Sequence, residues 1–245
     1  MTTYKESPVF WGMVALASAL VLASLIGSLT VMRVKRGGDA ITVTGSARKP
    51  IRSDFIIWRG SVGAKAESMQ LAYPDLKRYT ERVQTYLKEK NIPDQEIAYS
   101  PVQTEAIYET LEDGRSTGRI LWYVLTQHFA IGSANVDGIT ALSRQATELI
   151  EEGIPFISRS PEYLFTKLAD LRVEMLAEAT RDAQTRADMM AENAGSHVGA
   201  VRSARSGVFQ ITPRHSTEIS DYGMNDTTAL EKDITAVVVV TFAIR

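Results

Sequence analysis

Three histidines, His128, His197 and His215, are the side chains best suited to proton transfer or metal ligation near neutral pH. No two stand at metal-ligand spacing and no helix-borne zinc signature occurs, so each reads as a structural or solvated histidine. With no cysteine in 245 residues, there is no thiolate nucleophile, no thiolate metal site and no disulfide framework. Gly-x-Ser-x-Gly elbows, P-loops and dinucleotide fingerprints are also absent. Gly60-Ser61-Val62-Gly63 lies in a strand pattern, without the tight turn and helix that phosphate cradling requires. Asp221, Asn225, Asp226, Glu231 and Asp233 are oxygen donors that calcium would accept, yet they lack EF-hand spacing and read more simply as a solvated acidic loop. Glu148, Glu151 and Glu152 read as a solvated helix end, and Arg202, Arg205 and Arg214 as facing solvent, with anionic partners the competing reading. The expected catalytic, cofactor and metal sets are therefore empty, and the chain is expected to be non-enzymatic. A net charge of −2 gives no whole-chain footprint for nucleic acid.

What must position any remaining function begins with an anchor. Val9 to Met32 is a run of 24 residues without a charge. As a helix it would be about 36 Å long, against a hydrocarbon core of about 30 Å. Trp11 sits where an interfacial aromatic belongs, and Arg33, Lys35 and Arg36 stop the run. No Ala-x-Ala cleavage site lies at its C-terminal end, which favours a retained anchor over a cleaved signal peptide. Residues 1–8 are then a tail, 9–32 a transmembrane helix and 33–39 a short link containing Gly37-Gly38-Asp39. Ala15, Ala19, Ala23 and Gly27 recur every fourth residue, a spacing that lets two helices approach closely in lipid. They are the candidate oligomerisation face; a chance stripe of common membrane residues is the competing reading. Flanking charge alone would place the following domain in the cytoplasm.

Residues 40–245 read as one α+β domain. Strands are expected at Ala40–Ala47 and Phe55–Ala66 around a turn at Lys49-Pro50. A helical stripe runs from Ser68 to Lys90, with regular bonding expected to begin only near Pro74 and to end at Asn91-Ile92-Pro93-Asp94. Glu96–Thr110 and Arg119–Ile131 form an expected hairpin around Glu112-Asp113-Gly114. A helix over Val136–Glu152, a strand over Ile154–Phe165 interrupted at Pro161, and a long helix over Lys167–Ala194 closed by Gly195 follow. Ala179, Ala183, Ala187 and Ala191 on that last helix would allow close packing. Strands at Val198–Ile211 and Ile234–Ile244 flank a polar loop, Thr212–Lys232. Helices should pack on a largely antiparallel sheet, and the succession of elements hints at an internal duplication.

Several segments together resemble a known family. Ile41-Thr42-Val43-Thr44-Gly45-Ser46-Ala47 with Pro50, Leu87 to Ile92 before a strand, the Ala-rich helix from Ala177 to Ala187, Gly195 to Val201, and Val237 to Phe242 are similar to the SIMPL domain (DUF541) family and its YggE-like members. Asp54 stands four residues after Pro50 rather than beside it, and Asn91 replaces the usual Gly. The resemblance implies an extracytoplasmic domain that forms large ring-like or channel-like homo-oligomers, some of its members being linked to envelope stress. It implies no catalytic residue.

The expectation is a single-pass protein of the inner (cytoplasmic) membrane, its domain periplasmic or otherwise extracytoplasmic, against the direction of the flanking charges. Its partners would be the lipid bilayer and further copies of itself, with no nucleic acid and with any small-molecule ligand unknown. The rival function is an envelope binding module that presents the 212–232 loop to a protein or polysaccharide.

Overall fold

Alternating β-branched and polar residues set the strands, and a change to a three-to-four-residue period sets the helices. The computed structural model describes residues 8–36 and 39–245; residues 1–7 of the expected tail and Gly37-Gly38 of the expected link lie outside the described residues. In chain order the elements are α1 (Pro8–Arg36), β1 (Ala40–Arg52), β2 (Phe55–Ala66), α2 (Met69–Glu89), a single 3-10 turn (Asp94–Glu96), β3 (Ile97–Tyr99), β4 (Gln103–Thr110), β5 (Ser116–Ser133), α3 (Val136–Gln145) and α4 (Glu148–Glu151). Then come β6 (Phe156–Ser158), β7 (Glu162–Leu164), α5 (Leu168–Asn193), β8 (Val198–Ser206), β9 (Gln210–Pro213), β10 (Met224–Asn225) and β11 (Glu231–Ile244). This is a mixed α+β architecture built on largely antiparallel sheets.

Two compact units alternate along the chain, and β1, α5 and β11 contribute residues to both. The larger unit holds Arg48–Val173 and Val208–Thr235. At its centre β2 and β5 run antiparallel from Ile56–Ser133 to Ala66–Tyr123. β3 and β4 pair along the far edge of β5, and β6 and β7 along the far edge of β2. One face of this sheet is apolar because alternate residues are: Ile56, Trp58, Val62 and Ala64 on β2, with Leu125, Phe129 and Ile131 on β5, are buried. α2 lays Ala72, Leu76, Val83 and Leu87 into that face, and α3 adds Ile139 and Leu142. Trp58 is the largest fully buried side chain. Its ring meets Phe129 edge-on at 5.5 Å, and its indole N–H donates to Ser158 Oγ at 3.0 Å.

Helix ends in this unit follow their sequence signals. Ser68 Oγ accepts the Leu71 N–H and Asn135 Oδ1 the Gly138 N–H, caps each worth about 1 kcal/mol. α2 closes with the Ile92 N–H on Leu87 O and the Asn91 N–H on Lys88 O, which sets Asn91 in the left-handed region at φ 59°. That is why an Asn can stand where relatives are expected to carry Gly: of the residues with a side chain, Asn tolerates this conformation best.

In the smaller unit β1 up to Ala47, β8 and β11 make a sheet with β11 in the middle. α5 covers one face. Ala179, Ala183 and Ala187 are fully buried against it and Ala191 nearly so, which gives the alanine stripe its function. Gly45 lies beneath Ala179 and Ala183 with no room for a side chain, so the Thr-Gly-Ser-Ala segment and the alanine helix are two halves of one contact.

Four expectations need correction. No turn forms at Lys49-Pro50: β1 runs through Pro50 to Arg52 and the chain reverses at Ser53-Asp54. β1 is an edge strand, and an edge tolerates a residue that lacks an N–H. α2 begins at Met69, so Pro74 lies inside it, and the helix forms despite the one intrahelical hydrogen bond that Pro74 cannot make. The helix expected over Val136–Glu152 breaks at Ala146-Thr147 into α3 and α4. The Thr212–Lys232 segment is also more structured than a loop, with β9 reaching Pro213, a short β10, and β11 starting at Glu231.

Candidate functional site

The second face of the larger unit's sheet carries the polar set. By the pairing of β2 with β5, Arg59, Ser61 and Lys65 share this face with Ala130, His128 and Val124, away from α2 and α3. Arg159 joins them: its N–H donates to Arg59 O at 3.0 Å, extending the Gly60–Ser158 register by one pair. A cleft of about 560 Å3 opens here, lined by Arg59, Ala98, Ser100, Gln103, His128 and Arg159 among others.

Most polar groups in the cleft are engaged within it. The Arg59 guanidinium pairs with Glu162, which β7 brings to the same face. His128 Nε2 lies 3.2 Å from Gln103 Oε1. Ser100 Oγ accepts the backbone N–H of His128 at 3.0 Å and donates to Pro101 O at 2.9 Å. Ser100 and His128 therefore do not form a nucleophile–base pair. Burial and the carboxylate of Asp94 push the Tyr99 phenol at the rim upward.

A second cleft of about 570 Å3 lies along the part of β2 that runs past β6. Pro155, Phe156, Ile157 and Tyr79 give it a mainly apolar lining. Its acid, Asp75, is engaged by Arg78 at 2.9 Å, and its cation, Lys65, sits over the Trp122 ring at 4.9 Å. A smaller cavity of about 240 Å3 touches Lys232, whose side chain is fully buried. Its ammonium donates to Tyr163 O at 2.6 Å and Asp226 O at 2.5 Å. Burial pushes this lysine below its ordinary value, only partly offset by the Asp226 carboxylate. With two carbonyls fixed on it, Lys232 ties β7 and the segment before β11 to β11 itself.

The acidic residues considered as calcium ligands do not converge. Asp226 accepts from the Thr228 hydroxyl and from the Thr228 and Ala229 N–H groups. Asp233 takes Arg48 at 2.6 Å and the His215 N–H at 3.2 Å. Glu231 pairs with Arg52 at 3.4 Å. No three acidic or histidine side chains gather around a metal-sized point among the described residues. His197 contributes its backbone, exchanging both hydrogen bonds with Arg245. His215 holds a left-handed turn at φ 65°.

Ala15, Ala19, Ala23 and Gly27 lie on α1, exposed, with nothing within 4 Å of the place a β-carbon on Gly27 would take. Trp11–Ser28 of this helix is long and apolar enough to cross a membrane, and none of it is buried. The sequence reading singled out neither Arg59 nor Arg159. They stand a hundred positions apart, and only the pairing of β2 with the strand after α4 brings them together.

No curated protein is similar enough in sequence to match. Among solved structures, an amidase of the hydantoinase/carbamoylase family from Burkholderia phymatum is similar at 11% identity and a TM-score of 0.26, covering 52% of this chain and 32% of its own. A putative amidohydrolase/peptidase from Burkholderia cenocepacia follows at 12% identity and 0.20, covering 56% and 34%. An uncharacterized conserved protein from Listeria innocua follows at 8% and 0.20, covering 81% and 92%. The chain spans about a third of the length of the two Burkholderia proteins. At these TM-scores none of the three carries an argument about fold or activity. A family model does match, over residues 41–242, and its description is SIMPL, protein of unknown function (DUF541). The match takes in the segments from Ile41 to Phe242 that carry the resemblance, and the chain belongs to the SIMPL family.

Proposed function

We propose that this chain is a non-enzymatic, membrane-anchored scaffold of the cell envelope whose copies join through their folded parts into a ring-like or channel-like assembly. The observation that carries the reading is the state of β8. This strand pairs with β11 on one side and has no strand on the other among the described residues. The Gly207 N–H donates to Val237 O, so the alternate residues Ser206 and Ala204 turn their backbone groups outward. Ala200 to Ser206 are exposed on both faces, and Val201 is 57% exposed although it shares a face with buried Phe242. Edge strands are usually blunted by proline, charge or bulges. β8 has no proline, its charges are Arg202 and Arg205, and its irregularities against β11 fall at its Val198–Val201 end, so Ser203–Ser206 keep a regular edge. A strand from a second copy would satisfy those backbone groups and cover Val201. By contrast the edge of β1 is occupied at Ser46, whose N–H donates to Asp182 at 2.8 Å.

In this reading α1 anchors the assembly in the inner membrane, with Ala15, Ala19, Ala23 and Gly27 packing helix against helix, and the folded part is extracytoplasmic. Light scattering of the detergent-extracted full chain tests it. The expected mass is a multiple of the protomer, reduced by Ala204→Pro, which removes an outward N–H from the bare edge. A wild-type protein that runs as a strict monomer at working concentration would eliminate the scaffold.

The alternative, a binding module acting through the 212–232 segment, has its own observation: Ile219 and Tyr222 stand 85% and 97% exposed there. Capture of an envelope partner that is abolished by Ile219→Ser with Tyr222→Ser, while the assembly mass is unchanged, would favour it.

A further inference from the structure

We propose that the cleft on the open sheet face of the larger unit binds the oxyanion group of a small molecule, a phosphate or a carboxylate, between Arg59 and Arg159. The starting point is a like-charge pair in a place where it is unfavourable. Arg59 and Arg159 are directly opposite on adjacent antiparallel strands, joined by the hydrogen bond from the Arg159 N–H to Arg59 O. Residues so placed share a face with β-carbons about 5 Å apart, and two cations there repel.

Glu162 relieves only half of this, because its carboxylate is engaged by Arg59. Arg159 has no carboxylate partner among the described residues, which leaves the pair and Glu162 with one net positive charge. The cleft is also given space. Ala130 stands beside Arg59 in the next strand, and Ala98 beside Ala130, so two methyl groups form a floor where larger side chains would have filled the surface. His128 and Gln103, hydrogen-bonded to each other, close the far side.

Two planar guanidinium groups with spare N–H donors, over a low floor, match the paired oxygens of a carboxylate or phosphate. Such an anion would convert the repulsion between the arginines into two attractions. A volume of about 560 Å3 is that of a small-molecule site. A nucleic-acid backbone would need a continuous basic track, whereas Glu105 and Glu162 interrupt this face on either side.

Calorimetric titration of the full-length protein in detergent, in a chloride-free buffer of low ionic strength, tests the proposal with two probes: inorganic phosphate and benzoate. Saturable one-site binding of either is expected, and the stronger probe identifies the class. Arg159→Gln should weaken that binding about tenfold or more, with Arg159→Lys intermediate because the charge is kept and the fork is lost. Arg202→Gln, on exposed β8 in the other unit, should leave it unchanged. Since Arg159 is exposed, its variants are expected to melt with the wild type, and that melt is the folding control. No saturable binding of either probe, or equal affinity in wild type and Arg159→Gln, would overturn the proposal. So would an equal loss in Arg202→Gln, which would mark diffuse charge attraction.

Discussion

A β-carbon placed on Gly45 would lie 2.6 Å from the β-carbon of Ala183 and 2.5 Å from its backbone nitrogen. The strand and helix are therefore in backbone contact, and neither position can grow. Gly45→Ala is expected to destabilise the smaller unit by about 1–3 kcal/mol, with Gly45→Val at or beyond the upper end. Because the nearest atoms are backbone, Ala179 O and then Ala183 N at 2.5 Å, Ala183→Gly should recover little of the loss in Gly45→Ala while being destabilising alone. Denaturant unfolding of the four proteins in a double-mutant cycle measures this.

Asn91 separates local conformation from contact. It occupies the left-handed region at the end of α2 and is exposed. Asn91→Ala is expected to cost about 1–2 kcal/mol, the penalty for a β-carbon in that conformation, while Asn91→Gly should be neutral to stabilising. The melting temperatures of the two variants should therefore move in opposite directions, or one should not move at all.

Lys232 offers a test of burial against hydrogen bonding. Replacing it with Met removes a desolvated charge but strands the carbonyls of Tyr163 and Asp226. The expected net effect is a loss of about 2–4 kcal/mol, since each unpaired buried acceptor costs about 1–3 kcal/mol. The pH dependence has the opposite sense to that of a paired lysine. Its folded value lies below the ordinary 10.5, so the unfolded chain binds the proton more tightly in that window. This one group therefore makes a contribution that rises as pH climbs from the folded value towards 10.5, and Lys232→Met should remove that slope.

Asp233 sets an acid limit. Burial raises its carboxyl, but the Arg48 guanidinium, the His215 N–H and Arg214 together hold it below the ordinary value of 3.8. Its stabilisation is complete above 3.8 and is lost as pH falls through the lower folded value. Asp233→Asn should be less stable than wild type at pH 7, and the gap should close in that acid window. Unfolding curves at pH 7 and across the acid limb decide it.

Membrane sidedness can be read directly, because the sequence has no cysteine and Tyr222 is almost fully exposed. A Tyr222→Cys protein in intact spheroplasts is expected to react with a membrane-impermeant maleimide before lysis. Reaction only after lysis would place the folded part in the cytoplasm, as the charges at Arg33, Lys35 and Arg36 alone suggest.

What was legible in the sequence was whatever depends on near neighbours. The bounds of β2, the helical stripe of α2, the left-handed closure at Gly195 and the alanine row of α5 are all local patterns, and the structure agrees with them. Pro50 misled because proline reads as punctuation unless its strand is known to be an edge, and edge position is a property of the whole sheet. The break at Ala146-Thr147 was hidden by apolar residues that keep a helical period across it. Arg59 and Arg159 were illegible for a stronger reason: strand pairing makes their adjacency, and no spacing along the chain encodes it.

The bond between the hydroxyls of Thr42 and Thr241 joins residues 199 positions apart. At a synthesis rate of about 5–20 residues per second, β1 emerges roughly 10–40 seconds before the strand that will receive it. Through that interval a strand with alternate apolar residues, Ile41, Val43 and Ala47 among them, waits beside the apolar helix α1 with both edges open. The opening of this domain is thus its most exposed segment during biogenesis, and whatever shields nascent strands from one another must act there first.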